Sequence, residues 1–232
     1  MKINVLHLIE GAKQARGLTV IIDVFRAFSL ECYLHSFGVK ELRPVGSIEE
    51  TFAFRDTLPS CVLIGERGGK KYEGCDFGNS PSTVPPEAVC GKTVIHTTSA
   101  GTQGIVNAVN ASEIITGSLV NAEAVAKYIL SKAPEEVSLV AMGDSGLKPT
   151  KEDELCAEYI SALLTGEGMS DIDERIARLR YDGGEKFFNP ETQHIFPSAD
   201  FEMCTRRDIF PYVLRVEKDE AGYISRRVDV WE

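Results

Sequence analysis

Short runs of branched apolar residues recur along the chain, and each is followed by a stretch whose apolar positions repeat every three or four residues. The first kind comprises Leu18–Asp23, Cys61–Gly65, Thr93–Thr97, Glu113–Thr116 and Val137–Met142, which predict strands. The second comprises Arg26–Phe37, Ile48–Thr57, Thr102–Val109, Ala122–Ser131 and Glu152–Leu164, which predict helices. In the stretch from Ala122, the residues Ala124, Val125, Tyr128 and Ile129 share one face while Glu123 and Lys127 take the other. This alternation is the pattern of βα units around a largely parallel sheet.

Beyond Thr165 the texture changes. Asp171–Arg180 is charged and amphipathic, Tyr181–Pro197 is broken by glycine, proline and aromatics, and helix-like residues follow. Two β-rich runs, Tyr212–Lys218 and Tyr223–Trp231, flank Asp219-Glu220-Ala221-Gly222 and predict an antiparallel hairpin. No low-complexity linker or repeat divides the chain. The expected architecture is α/β, a three-layer α/β/α domain over residues 1–232 with a largely parallel or mixed sheet. Its motifs lie at about 18–164 and a C-terminal elaboration with a β-hairpin occupies 165–232.

Composition narrows the function classes. The 232 residues suffice for a core without disulfide or metal staples. Thirty-five acidic against 25 basic side chains give a net charge of -10, which repels nucleic-acid backbones and anionic lipid. The cysteines Cys32, Cys61, Cys75, Cys90, Cys156 and Cys204 form no C-x-x-C pair, so structural zinc is not expected. Met1–Glu10 is too short and too polar for a signal peptide or anchor, and a reduced, cytoplasmic protein is expected.

In an open α/β sheet, ligands meet the carboxyl ends of the strands, and five such places carry chemistry. Asp23-Val24-Phe25-Arg26-Ala27 releases a carboxylate and a guanidinium at a helix start, where an ordinary N-cap with an ion pair is the alternative. Gly65-Glu66-Arg67-Gly68-Gly69 places an acid and a base on a glycine-rich turn and leads into a long segment containing Asp76-Phe77-Gly78-Asn79-Ser80-Pro81. Thr97-Thr98-Ser99-Ala100-Gly101-Thr102 joins strand to helix through hydroxyls and free backbone N–H groups, an arrangement suited to phosphate or to a plain Ser/Thr cap. Met142-Gly143-Asp144-Ser145-Gly146 is a further strand end, and Glu152-Asp153 opens a helix. Several carboxylates near an anion site, with no histidine or cysteine cluster, suit Mg²⁺ and phosphoryl chemistry.

Other motifs fall short. Cys61 and Arg67 have the C-x5-R spacing of cysteine phosphatases, but Val62-Leu63-Ile64 between them reads as a strand, not an anion-cradling loop. Ser145 has no placeable histidine partner. There is no G-x-x-x-x-G-K-[ST], no strand-linked G-x-G-x-x-G, and no second Asp two residues after Asp23 as in haloacid-dehalogenase phosphatases. His96, inside an apolar strand, reads as a core or supporting residue.

Taken together, Asp23-Val24-Phe25-Arg26-Ala27, Gly65-Glu66-Arg67-Gly68-Gly69, Gly78-Asn79-Ser80-Pro81, Thr97-Thr98-Ser99-Ala100-Gly101-Thr102 and Glu152-Asp153-Glu154-Leu155-Cys156-Ala157 resemble the 2-phosphosulfolactate phosphatase family, in the same order. The resemblance implies an α/β fold and Mg²⁺-dependent conversion of 2-phospho-3-sulfolactate to sulfolactate and phosphate, a step toward coenzyme M. Two departures stand out: Ala100 where many relatives have Asn, and Gln103 where they have Arg.

The expectation is a magnesium-dependent phosphomonoesterase for a small, multiply anionic acid. Asp23, Glu66 and Asp76 are the candidates for metal or general acid/base roles, with Glu152 and Asp153 as further catalytic carboxylates. Arg26, Arg67, Asn79, Ser80, Thr97, Thr98, Ser99, Gly101 and Thr102 are the candidate substrate-binding residues. Gly101 in particular should let backbone N–H groups converge on phosphate. The alternatives are a noncatalytic small-anion-binding protein and a serine hydrolase centred on Ser145. A homodimer is expected from an exposed β edge in Tyr212–Trp231.

Overall fold

The computed structural model describes residues 1–230. Its strands are β1 (Lys2–His7), β2 (Gly17–Ile22), β3 (Glu41–Pro44), β4 (Val62–Arg67), β5 (Lys70–Lys71), β6 (Thr93–Thr97), β7 (Ala111–Gly117), β8 (Glu136–Ala141), β9 (Tyr212–Asp219) and β10 (Gly222–Asp229). Its helices are α1 (Leu8–Gln14), α2 (Ala27–Ser36), α3 (Ile48–Thr57), α4 (Pro86–Val89), α5 (Gly101–Asn107), α6 (Ala122–Lys132), α7 (Lys151–Thr165), α8 (Ile172–Arg178) and α9 (Ser198–Cys204). The five strands and five helices expected from periodicity are all present. The expected end of the hairpin at Trp231 lies outside the described residues. β1 and β3 have no counterpart among the expected strands: β1 is an edge strand with exposed positions, and β3 has only four residues.

One mixed sheet runs in the order β1-β8-β2-β7-β9-β10-β3-β6-β4-β5. It consists of two parallel blocks, β1-β8-β2-β7 and β3-β6-β4, joined by the antiparallel hairpin β9–β10. The two blocks point in opposite directions. The carboxyl ends of β2 and β4 nevertheless reach a common cleft, which Asp23 and Glu66 both line.

Alternating side chains feed both faces of the sheet. Val20 and Ile22 of β2 pack with Val125, Ile129, Leu155 and Ile160 of α6 and α7. Ile21, on the opposite face, packs with Ala12, Phe28 and Ile105 of α1, α2 and α5. In the second block, Ile64 faces Leu30 and Leu34, while its neighbour Leu63 joins Val45 and Ile48. Helices on both faces make the three layers.

The C-terminal hairpin therefore sits in the middle of the sheet. Its two-residue turn is closed by Ala221 N–H donating to Asp219 Oδ1 (2.9 Å), and Gly222 takes a positive φ of 109°. Arg43 of β3 clamps the same Asp219 through both guanidinium nitrogens at 3.0 and 2.9 Å. β9 pairs with β7 and β10 pairs with β3, so the free edge on which the expectation of a homodimer rested is absent. No described helix is long and apolar enough to cross a membrane.

Leu214 of β9 is fully buried where the hairpin joins the two blocks. Leu214→Ala should lower the unfolding free energy by about 2–5 kcal/mol, the range for an incompletely collapsing core cavity. Urea denaturation followed by circular dichroism measures it.

Candidate active site

Backbone position is what brings the acids together. Asp23 follows β2, whose last residue Ile22 lies beside Ala141 of β8 and Gly117 of β7. Glu66 is near the end of β4, one residue past Gly65, which lies beside Thr97 at the end of β6. Glu152 and Asp153 occupy the first turn of α7, where acidic side chains suit the positive end of the helix. Together with Asp144 they line a cleft of about 160 Å³, which Phe25, Arg26, Asn79, Ser99, Ser145, Lys186 and Phe196 also border.

The four inner carboxylates are buried. Burial, reinforced by the charges of Glu66 and Glu152, pushes Asp23 up to about 7 against N–H bonds from Ala27 and Gly101. Asp153 is raised by burial and by its neighbours Asp23 and Glu152, although Val24 and Gly143 donate N–H groups to its two oxygens at 2.7 and 2.8 Å. Glu152 is raised by burial, with Lys186 opposing the rise, and its buried Oε2 has no hydrogen-bond partner. Both oxygens of Glu66 are engaged: Ser99 N–H donates to Oε1 and Gly69 N–H to Oε2, each at 2.6 Å.

This arrangement revises the anion-turn expectation. The N–H groups of the turn before α5 point at the protein's own carboxylates, Ser99 toward Glu66 and Gly101 toward Asp23. A Cβ at Gly101 would lie 2.9 Å from Asp23 Oδ2 and 3.0 Å from both Ala27 and Phe28. The glycine is therefore required for close packing of α5 against the β2–α2 turn. Thr98 and Thr102 bond each other's backbone, Thr98 N–H to Thr102 Oγ1 at 2.9 Å and Thr102 N–H to Thr98 Oγ1 at 3.1 Å. With Thr97 they are buried and shape the turn without lining the cleft.

Other expected residues are displaced as well. Asp76 lies along the flank of β4, because the segment after β5 runs back beside that strand: Asp76 N–H donates to Leu63 O (2.9 Å) and Gly65 N–H to Phe77 O (3.0 Å). Its carboxylate pairs with Arg55 and accepts the Leu63 N–H, so it is not a member of the acid cluster. Arg67 donates to Glu66 O and Thr97 Oγ1 and does not border the cleft. Arg26 does border it, but not as a partner of Asp23. Its Nη1 donates to Asp200 Oδ2 (2.8 Å) and Ile195 O (2.9 Å), and its Nη2 to Gly69 O (2.7 Å). Ser80 donates to Asp200 Oδ1 at 2.8 Å. The Asp23 cap reading holds in part, since Oδ1 accepts the Ala27 N–H at 3.2 Å at the start of α2.

His96 supports the site from the core. Fully buried, it lies with Nδ1 2.9 Å from Glu31 Oε1 and Nε2 3.1 Å from Asn79 Oδ1, fixing Asn79 at the cleft wall. Ser145 donates to Asp144 Oδ1 at 3.0 Å, and no histidine is among the cleft-lining residues. Burial raises the Cys61 thiol, consistent with an unreactive strand-side cysteine. The six cysteines are free, and Cys90 is the exposed one.

The residues that sequence reading missed come from the tail. Lys186 brings a cation to the acidic cleft, Phe196 packs over the Arg26 guanidinium at 4.8 Å, and Asp200 anchors Arg26. Their signal in the sequence is faint: an amphipathic, aromatic-rich stretch with no short motif.

Two outcomes follow from this geometry. A carboxyl raised in the fold holds its proton more tightly there than in the unfolded chain, so the metal-free protein should lose stability as pH rises from about 4 to about 7 and level off above. Asp23→Asn should flatten that slope in thermal melts across pH. Asp200→Ala would leave Arg26 buried and uncompensated and should cost roughly 3–5 kcal/mol in urea denaturation.

Comparisons with known proteins give the chain its family. The family model described as 2-phosphosulpholactate phosphatase matches residues 4–219. Relatives named "Probable 2-phosphosulfolactate phosphatase" include one from Bacillus subtilis, 31% identical over 87% of this chain and 88% of its own length. Another, from Caldicellulosiruptor saccharolyticus, is 40% identical over 82% of this chain and 84% of its own. A third, from Deinococcus radiodurans, is 38% identical over 72% and 71%. With the match extending from β1 to the end of β9, the chain belongs to the 2-phosphosulfolactate phosphatase family.

Proposed function

We propose that this protein is a Mg²⁺-dependent phosphatase that hydrolyses the phosphate monoester of a small anionic acid, 2-phospho-3-sulfolactate, to 3-sulfolactate and phosphate. Family membership supports the reaction class and the substrate. The observation that carries the metal is the carboxylate cluster itself. Asp23, Glu66, Glu152 and Asp153 are buried around one cleft whose non-acidic charges are Lys186 and the already paired Arg26. Like charges so confined favour a bound cation.

The donor set fits Mg²⁺ unequally. Both oxygens of Glu66 and both of Asp153 accept backbone N–H groups, which hold these two carboxyls in the wall. Glu152 Oε2 is unpartnered, and Asp23 faces the same cleft, so these two would hold the ion. No three described acidic, histidine or cysteine side chains are spaced as a ready-made cage. Mg²⁺ needs none, because it is commonly held by one or two carboxylates with substrate phosphate and water completing the shell. Bound there, it would neutralise the nonbridging phosphoryl oxygens as charge develops on them.

The chain's own groups supply the rest. Lys186, whose charge acts on Glu152, offers ammonium donors to the phosphoryl oxygens. Asn79, fixed by His96, presents its amide at the wall. Phe25 and Phe196 border the cleft and limit its water. Asp23 keeps its proton up to about pH 7, so proton and cation compete for that carboxylate, and Mg²⁺ affinity should rise as pH increases through that value.

Phosphate release from 2-phospho-3-sulfolactate by the purified protein, with and without EDTA, tests the proposal. Chelation should abolish turnover, and Glu152→Gln should lower kcat/KM by roughly two orders of magnitude or more. Turnover that survives EDTA and is lost in Ser145→Ala would instead establish a serine hydrolase. Binding without turnover under all conditions would leave a noncatalytic anion binder.

A further inference from the structure

Beside the acidic cleft lies a second compartment of opposite character. It encloses about 480 Å³ and is lined by Lys70, Lys71, His194, Phe77, Ile195 and Pro197 among others, and it shares Arg26, Gly69 and Asn79 with the first. Its one acidic neighbour, Asp76, is neutralised by Arg55. Lys70 and Lys71 form no ion pair among the described residues, in which the paired lysines are Lys2, Lys13 and Lys127.

A single rigid unit carries both characters. β4 and β5 form a hairpin whose turn, Gly68–Gly69, has φ of 59° and 79°, the left-handed pair of a two-residue I′ turn. Glu66 on the first limb lines the acidic cleft, and Lys70 and Lys71 on the second line the neighbouring compartment. The hairpin tip is fastened by Arg26 to Gly69 O and by Gly69 N–H to Glu66, and a side chain at Gly69 would strike Phe196. The two compartments are thus held in fixed relation, with Arg26 and Asn79 at the boundary.

We propose that the second compartment binds the acidic groups of the substrate that are not transferred, a carboxylate or sulfonate, against Lys70 and Lys71, and so sets preference for polyanionic esters. This rests on the phosphatase reading above. A phosphoryl group reaches the acidic cleft with a cation, but further anionic groups there would meet a wall of carboxyls, Glu66, Glu152 and Asp153, with Lys186 as the one unpaired cation among the described lining residues. The adjacent lysines, across an apolar floor, orient the molecule by charge.

The test compares 2-phospho-3-sulfolactate with p-nitrophenyl phosphate as substrates, in Mg²⁺, for the unaltered protein, Lys70→Met/Lys71→Met and Lys70→Arg/Lys71→Arg. The methionine pair should raise KM for the polyanion, with little change in kcat, and cut the preference for it over the aryl ester about tenfold. The arginine pair should restore the preference. Calorimetric binding of 3-sulfolactate to the same proteins gives a readout independent of turnover, with weaker binding in the methionine pair expected. An unchanged preference, or unchanged 3-sulfolactate affinity where no ester is hydrolysed, overturns the second compartment as a binding site. Loss of turnover with intact lysine-dependent binding would instead refute only the phosphatase reading.

Discussion

A buried ion pair, Arg26 with Asp200, is the contact on which the cleft depends. Both side chains are removed from water, an arrangement that costs several kcal/mol per ion unless every polar atom is matched. Here the matching is thorough. Asp200 also accepts Ser80 Oγ, Ser82 N–H and Ser82 Oγ, while Arg26 also donates to the carbonyls of Gly69 and Ile195. Five stretches of chain far apart in sequence thereby meet at one guanidinium and one carboxylate. The β2–α2 turn, the β4–β5 hairpin, the Ser80–Ser82 loop, the Ile195 segment and α9 cannot move independently while that pair is made.

Around this hub the molecule tolerates electrostatic conflict. Asp23, Glu152 and Asp153 repel one another in a poorly hydrated space, and backbone N–H groups offset only part of the cost. Local disagreement of this kind concentrates where a protein does chemistry, because a ligand resolves it. The turn before α5 shows the same principle from the other side. Its glycine and hydroxyl pattern suits an anion, and the N–H groups of Ser99 and Gly101 meet the protein's own acids, Glu66 and Asp23.

The hairpin β9–β10 has a comparable role at the level of the sheet. It lies between two parallel blocks that neither pair directly nor point the same way. Strand ends of both blocks nevertheless line one cleft. The acidic groups of β2, β8 and α7 then face Glu66 from the other block.

Five strands and five helices between Leu18 and Leu164 were legible because hydrophobic period is a local property, recorded in each short run of residues. The four-residue β3, the two-residue β5 and the single turn α4 are too short to show a period. Asp23, Glu66, Glu152 and Asp153 were legible for a related reason: each stands at a strand end or helix start, places that chain direction alone identifies. Asp76 stood out equally well yet lies elsewhere, since its position is set by how the segment after β5 folds back along β4. Lys186, Phe196 and Asp200 left no motif because their partners are distant in sequence, and no spacing rule encodes so long a contact. Local sequence determined which segments are strands and helices and which ends carry acid. Only tertiary structure, through the order of strands in the sheet and the burial of Arg26 against Asp200, decided which of those ends share a cleft and whether a given N–H group meets a ligand or another part of the protein.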